Sequence, residues 1–204
     1  MRTAPIEGGP EAAFWCSKGA YRKRADGGYS IANGNVNVVP LTPDSFRFFG
    51  DFLPAFRDDW RGLKLRVDGR FAREWTEARP VPLDRVSPYE RCRVLDPEPD
   101  RKFNRQALDG LSELFPAFKG ARVVQEWAGL IDVTPDAVPV ISTVDALPGL
   151  VVATGFSGHG FGIGPAAGRL AADLATGSKP VVDPRDFRLS RFSDGSDPRP
   201  IAGI

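Results

Sequence analysis

The residues best suited to chemistry in this 204-residue chain form a stretch of accessible backbone rather than a set of reactive side chains. From Thr154 the sequence reads Thr-Gly-Phe-Ser-Gly-His-Gly-Phe-Gly-Ile-Gly-Pro, with glycine at 155, 158, 160, 162 and 164. Glycine has no Cβ, so such a run lets a ligand lie directly against main-chain N–H groups. Before it, residues 150–153 are wholly apolar and read as a short strand of the kind buried in a parallel sheet. After it, the spacing predicts a helix over 165–175, with Pro165 at its start and Gly177 as its cap. A helix start adds unpaired N–H groups and the positive end of the helix dipole. Strand, glycine loop and helix together make a cradle for negative charge: a phosphate, a carboxylate or an electron-rich ring. The candidate binding residues are Gly155, Ser157, Gly158, His159, Gly160, Phe161 and Gly162.

Other chemistries find less support. Gly162-Ile163-Gly164-Pro165-Ala166-Ala167, with Asp183 further on, meets the spacing of a dinucleotide fingerprint. However, Lys179-Pro180-Val181-Val182-Asp183-Pro184 leaves barely two residues for the second strand between its prolines, which argues against an independent nucleotide-binding unit. Cys16 and Cys92 lie far apart, and His159 is the only histidine, so no metal site is expected. Histidine titrates near physiological pH when unperturbed, but His159 reads first as a loop residue positioning a ligand and only second as an acid–base group. Lys plus Arg (27) and Asp plus Glu (26) nearly cancel, which disfavours nucleic acid as a partner. The longest apolar run, 147–156, is interrupted by Pro148 and Gly149 and is too short to span a bilayer. With no apolar leader at the N-terminus, a soluble cytoplasmic protein with reduced thiols is expected.

The elements that must position the loop are short, because Gly (22) and Pro (19) are frequent. Residues 12–17 and 28–32 read as strands flanking 21–26, with Asp26-Gly27-Gly28 as a hairpin turn and Asn33-Gly34-Asn35 as a further turn. Thr42 and Pro43 signal a helix start, a second short helix is expected over 54–60, and 63–67 reads as a half-buried strand. Prolines at 80, 82, 88, 97 and 99 predict an irregular loop with one helical turn near Glu90. Phe103, Ala107, Leu108, Leu111 and Leu114 mark an amphipathic helix over 101–115, and 121–127 and 137–142 are strand-like. Trp15, Trp60, Trp75 and Trp127 read as core residues rather than a substrate cage.

The glycine run now has a context. Thr154-Gly155-Phe156-Ser157-Gly158-His159-Gly160-Phe161, followed by Gly164-Pro165, resembles the C-terminal flavin motif of the D-amino acid oxidase-like family, which includes glycine and sarcosine oxidases. Trp127-Ala128-Gly129 with Thr134-Pro135-Asp136 and Pro139 resembles its W-x-G…T-P-D-x-x-P segment. Arg22-Lys23-Arg24-Ala25-Asp26-Gly27-Gly28 resembles its R-P-x-x-D-G-G hairpin, with Lys23 where Pro is usual. Asp183, Phe187, Arg191 and Phe192 match its terminal D…F…R-F pattern. The resemblance implies FAD as cofactor, with the loop wrapping the isoalloxazine ring mostly through backbone, and hydride transfer from the carbon beside an amine nitrogen.

The resemblance also sets expectations about what is missing. The family's opening G-x-G-x-x-G unit, which binds the FAD pyrophosphate, has no counterpart before residue 150. Ile131 stands where glycine oxidase-like members carry a carboxylate-binding arginine, so Arg22, Arg24 and Arg79 are the substitute candidates. No catalytic side chain is assigned, and neither cysteine is placed to suggest a covalent flavin. The expected fold is α+β: an antiparallel substrate-domain sheet with flanking helices over 1–146, then a partial FAD-binding strand–loop–helix unit over 147–204. The expected protein is the C-terminal portion of an FAD-dependent oxidoreductase acting on the C–N bond of a small amine or amino acid. The alternatives are an inactive remnant, or a subunit that needs a complementary N-terminal FAD-binding chain or pairs as a homodimer. A stand-alone anion-binding protein using the same loop is a third reading.

Overall fold

The computed structural model describes residues 1–34, 36–77, 81–82 and 84–199. In chain order the elements are β1 (Arg2–Thr3), β2 (Phe14–Cys16), β3 (Gly19–Lys23), β4 (Tyr29–Ala32), β5 (Asn37–Pro40), α1 (Pro43–Arg47) and α2 (Phe49–Asp59). Then follow β6 (Leu63–Arg66), α3 (Gly69–Glu77), α4 (Pro88–Arg91), α5 (Arg101–Leu114), β7 (Val123–Gln125), β8 (Val140–Thr143), β9 (Val151–Thr154) and α6 (Gly160–Thr176). The mixed helix-and-sheet class agrees with the α+β expectation. The chain forms two compact units: Met1–Pro43 with Arg61–Leu130, and Asp44–Trp60 with Ile131–Ile204. The boundary expected after residue 146 falls between β8 and β9, so the unit bearing the glycine loop also takes in 131–146.

The first unit is built on a five-stranded antiparallel sheet in the order β2-β3-β4-β1-β7. Tyr21, Tyr29 and Ile31 alternate inward, as a two-residue period dictates, and meet Ala107, Leu108 and Leu111 from the apolar stripe of α5. Phe118 completes this core. Its ring lies 4.9 Å from that of Tyr29 and 5.1 Å from that of Tyr21, and each such aromatic pair adds about 0.5–1.5 kcal/mol beyond area burial. The Tyr29 hydroxyl donates to the Pro10 carbonyl at 2.9 Å, so its polar end is satisfied inside. Asp100 caps α5 by accepting from the N–H groups of Lys102 and Phe103. Within the same unit, β5 and β6 form a separate parallel pair.

The second unit is smaller. β8 and β9 form an antiparallel hairpin, and α6 lays Ala167 and Leu170 on Ile141, with Phe156, Leu174 and Phe187 around them. Behind β8, Arg191 is buried against Asp136 with two parallel hydrogen bonds, Nε to Oδ2 at 2.8 Å and Nη2 to Oδ1 at 3.1 Å. Nη2 also donates to the Val138 carbonyl at 2.7 Å, Nη1 to that of Arg188 at 2.9 Å, and the guanidinium stacks 4.2 Å from the Phe192 ring centre. Burial alone would push the Asp136 carboxyl up. Hydrogen bonds from Arg191 and from the Val138 N–H, together with the Arg191 charge, hold it below the ordinary carboxylate value.

Several expectations are corrected. Of the residues 21–26 read as lying between two strands, 21–23 belong to strand β3, so the hairpin is part of a three-stranded meander. The helix expected over 54–60 begins at Phe49 and carries Pro54 inside it. β9 pairs antiparallel with β8 rather than in a parallel arrangement, and is partly exposed. α6 begins at Gly160, five residues before the proline taken as its start. Pro165 therefore stands inside the helix, where it cannot donate to the Phe161 carbonyl one turn back. Gly162, Gly164 and Ala167 are therefore helical, and Val181 and Val182 are not in a strand, so the dinucleotide spacing has no loop or second strand to act through. α3 was not foreseen. The four tryptophans are 45% to 67% exposed and do not belong to either core. Part of the turn expected at Asn33-Gly34-Asn35 lies outside the described residues, because Asn35 is not among them.

Candidate functional site

The glycine loop proper is only five residues, 155–159, between β9 and α6. Its backbone is unusual. Gly155 and Gly158 lie in the left-handed region at φ +70° and +85°, and so does Ser157, a non-glycine residue, at φ +50°. A serine in that region costs about 1–3 kcal/mol, and it persists only where the surroundings over-determine it. Here they do. The Ser157 N–H donates to the Asp132 carbonyl at 2.9 Å, and Ser157 Oγ donates to the Gly155 carbonyl at 3.1 Å while accepting from the Thr134 N–H at 3.2 Å. The Asp132 carboxylate accepts from the Gly155 N–H at 2.7 Å and from the Thr154 hydroxyl. Gly155 is buried, and a Cβ there would collide with the Thr134 methyl.

Segment 132–134 thus grips the loop from one side. The other side is open. Among the described residues, the N–H groups of Phe156 and Gly158 have no acceptor, in alternation with the bonded ones at 155 and 157. His159 occupies the N-cap position of α6 without a side-chain capping bond, and its N–H closes a turn onto the Phe156 carbonyl at 2.8 Å. Gly160 opens α6, and a Cβ there would press on Phe156 at 3.1 Å. By contrast, Gly162 and Gly164 have nothing within 4 Å of where a Cβ would stand. Phe161 is fully exposed, and Ile131, Val133 and Ile163 are also exposed beside the loop. Ile131 reaches within 3.9 Å of a Cβ built on Gly158. The segment offers free amide donors, a 17-residue helix pointing its N-terminal end at them, and an apolar rim.

The structure therefore brings together Gly155, Ser157, Gly158, His159, Gly160, Phe161 and Gly162 in one loop and helix start. Arg22 and Arg24 belong to the other compact unit. Arg22 is exposed on β3, while Arg24 turns back to Asp26, with Nε 3.3 Å from both carboxylate oxygens. Arg79 lies outside the described residues. Sequence reasoning missed Asp132 and Thr134 as the residues that shape the loop. Both lie in a segment already singled out, but nothing in their spacing says that they meet residues more than twenty positions later.

Residues 57–174 match the model of the FAD dependent oxidoreductase family. The chain belongs to this family. It is 38% identical over 175 residues to the N-methyl-L-tryptophan oxidase of Salmonella typhimurium, covering 83% of this chain and 40% of that protein. It is 36% identical over 92 residues to the glycine oxidase of Pseudomonas putida, covering 43% of this chain and 25% of that one. Among solved structures, the L-amino acid deaminase from Proteus vulgaris superposes with a TM-score of 0.85 at 31% identity, covering 94% of this chain and 44% of that chain. The chain thus spans less than half the length of these relatives of the FAD-dependent family. Among its described residues, no helix is long and apolar enough to cross a membrane.

Proposed function

We propose that this chain forms the ring-side and substrate-side portion of an FAD-dependent oxidoreductase acting on the C–N bond of a small amine or amino acid. The observation that carries this reading is the pair of unengaged N–H groups at Phe156 and Gly158, set beside the start of α6. That arrangement suits an electron-rich ring edge. The bare Cβ positions of Gly162 and Gly164 leave room for a large planar group. When bound, FAD supplies the oxidising chemistry, taking up the electrons of the C–H bond next to the amine.

Under this reading, the backbone of Gly155, Ser157, Gly158, His159, Gly160, Phe161 and Gly162 holds the ring system. The N–H donors stabilise the negative charge that grows there. Phe161, Ile131 and Val133 exclude water from the reacting face. Arg22 is the better candidate for a substrate carboxylate, because Arg24 is already engaged by Asp26. In functional terms, residues 147–204 serve the cofactor and 1–146 the substrate.

The exposed apolar rim favours a second reading of the same chain as a subunit or remnant that requires a complementary FAD-binding chain or a second copy. Flavin fluorescence titrations separate the two. The purified chain is expected to bind FAD weakly, and co-purification with a complementary nucleotide-binding chain is expected to give a tightly held flavin that an amine or amino acid bleaches. Retention of stoichiometric flavin by the chain alone through gel filtration would sink the need for a complement. If neither preparation quenches flavin, the FAD reading fails, and protection against melting by phosphate or acetate would favour a simple anion-binding protein.

A further inference from the structure

We propose that Asp132 is the positioning residue of the glycine loop, deciding which of its N–H groups are engaged inside the protein and which are left for a ligand. The identity of that ligand rests on the flavin reading above. Four consecutive amides, from Gly155 to Gly158, divide in strict alternation. Those of Gly155 and Ser157 are bonded, and both go to Asp132, one to its carboxylate and one to its carbonyl. Those of Phe156 and Gly158 are free among the described residues. The same carboxylate oxygen, Oδ2, also accepts a hydrogen bond from the Thr154 hydroxyl, so the end of β9 and the start of the loop are tied to one atom.

The alternation has a mechanical cause. Gly155, Ser157 and Gly158 all have positive φ, and this sequence of backbone states is what turns neighbouring amides to different sides. Glycine adopts it freely, but Ser157 does so only because its N–H, its Oγ and the Gly155 N–H are all held. Two of these three ties end on Asp132. A carboxylate acceptor makes the tie to Gly155 charge-assisted, roughly twice as strong as a neutral one. Asp132 is itself exposed.

The test uses the full chain with Asp132→Ala and Asp132→Asn, read first by amide hydrogen exchange. In Asp132→Ala the Gly155 amide, which loses its carboxylate acceptor, is expected to exchange roughly tenfold faster, a hydrogen bond's worth of opening, while the Ser157 amide keeps the main-chain carbonyl of residue 132 as its acceptor. Amides in the buried half of α6 should be unchanged, and Asp132→Asn, which keeps an acceptor oxygen in place, should restore most of the protection. The second readout is the FAD fluorescence titration, with the chain alone and with a complementary chain. Asp132→Ala should weaken quenching by roughly the same factor, and Asp132→Asn should recover it. Unchanged exchange at the Gly155 amide overturns the proposal. Faster exchange with unaltered quenching also overturns it, by making Asp132 a structural residue only. If wild-type chain quenches no flavin in either preparation, the flavin reading falls and takes the ligand half of this proposal with it, while exchange still decides what holds the loop.

Discussion

Two of the glycine-rich turns, one in each compact unit, differ in what a Cβ would meet. In the turn between β3 and β4, the Gly28 N–H donates to Asp26 Oδ1 at 3.0 Å, Arg24 closes on the Gly28 carbonyl at 2.8 Å, and a Cβ on Gly28 would strike the Thr3 carbonyl. The Gly28 N–H, with help from Arg24, holds the Asp26 carboxyl below its ordinary value. That turn is closed upon itself, and its glycines serve the sheet. The loop before α6 is closed only at Gly155, where Thr134 stands in the way. At Gly158 the nearest atoms are 3.9 Å off, and at Gly162 and Gly164 there is open space. Glycine in a helix costs about 0.5–1 kcal/mol against alanine, and Gly162 and Gly164, like the helical Gly50 and Gly168, have open space where a Cβ would stand. A count of glycines does not separate these cases, but the surroundings of each missing Cβ do.

The largest expected effect concerns the support behind the open loop. Arg191→Met leaves the Asp136 carboxylate buried without its partner and should destabilise the chain by about 3–5 kcal/mol, measured by urea unfolding. An effect below 1 kcal/mol would show that the second unit does not depend on this pair. The same pair predicts a pH dependence. The folded-state value of Asp136 is depressed, so its stabilisation is present above the unfolded carboxyl value, about 4, and lost as pH falls through the folded value. Wild-type stability should therefore fall on acidification below that range, and an Asp136→Asn variant should show a flatter profile.

The next two effects test the comparison itself. Gly155→Ala forces a Cβ into the Thr134 methyl at φ +70° and should cost about 2–3 kcal/mol, close to the cost of Gly28→Ala in the closed turn. Gly158→Ala meets only the left-handed backbone penalty, about 1–2 kcal/mol, because space is available. Equal losses at 155 and 158 would erase the distinction between the gripped and open sides. The smallest effect has the opposite sign. Gly162→Ala and Gly164→Ala should each stabilise the chain by about 0.5–1 kcal/mol in thermal melts while weakening FAD quenching. Stabilisation without any loss of quenching would place the ligand elsewhere.

The parts of the fold legible in advance were those set by neighbours in sequence. α5 follows from apolar spacing at 103, 107, 108, 111 and 114, and a helical turn is expected near Glu90; the structure adds the Asp100 cap of α5 and the Ser87/Glu90 capping box of α4. The Asp26-Gly27-Gly28 turn follows from the conformational freedom of glycine. Pro165 misled for a local reason as well. Proline at a first helical position is a common signal, and here the helix had already started in residues whose glycines read as loop. Arg22 and Arg24 looked equivalent in sequence, and only the turn geometry shows that Arg24 is held by Asp26.

What the sequence alone determined about this protein is therefore its local vocabulary and its kinship. It yields a strand, a glycine loop and a helix in order, together with motifs spaced as in the FAD-dependent family. Those properties depend on residue type and short-range spacing, which survive without a fold. Tertiary structure decided which loop amides are engaged, that Asp132 and Thr134 hold the loop, and that Asp136 and Arg191 meet across 55 residues of sequence. Such pairings depend on how distant segments pack, and packing is selected by the burial of Ile141, Ala167 and Leu170 rather than by any pattern in the loop itself.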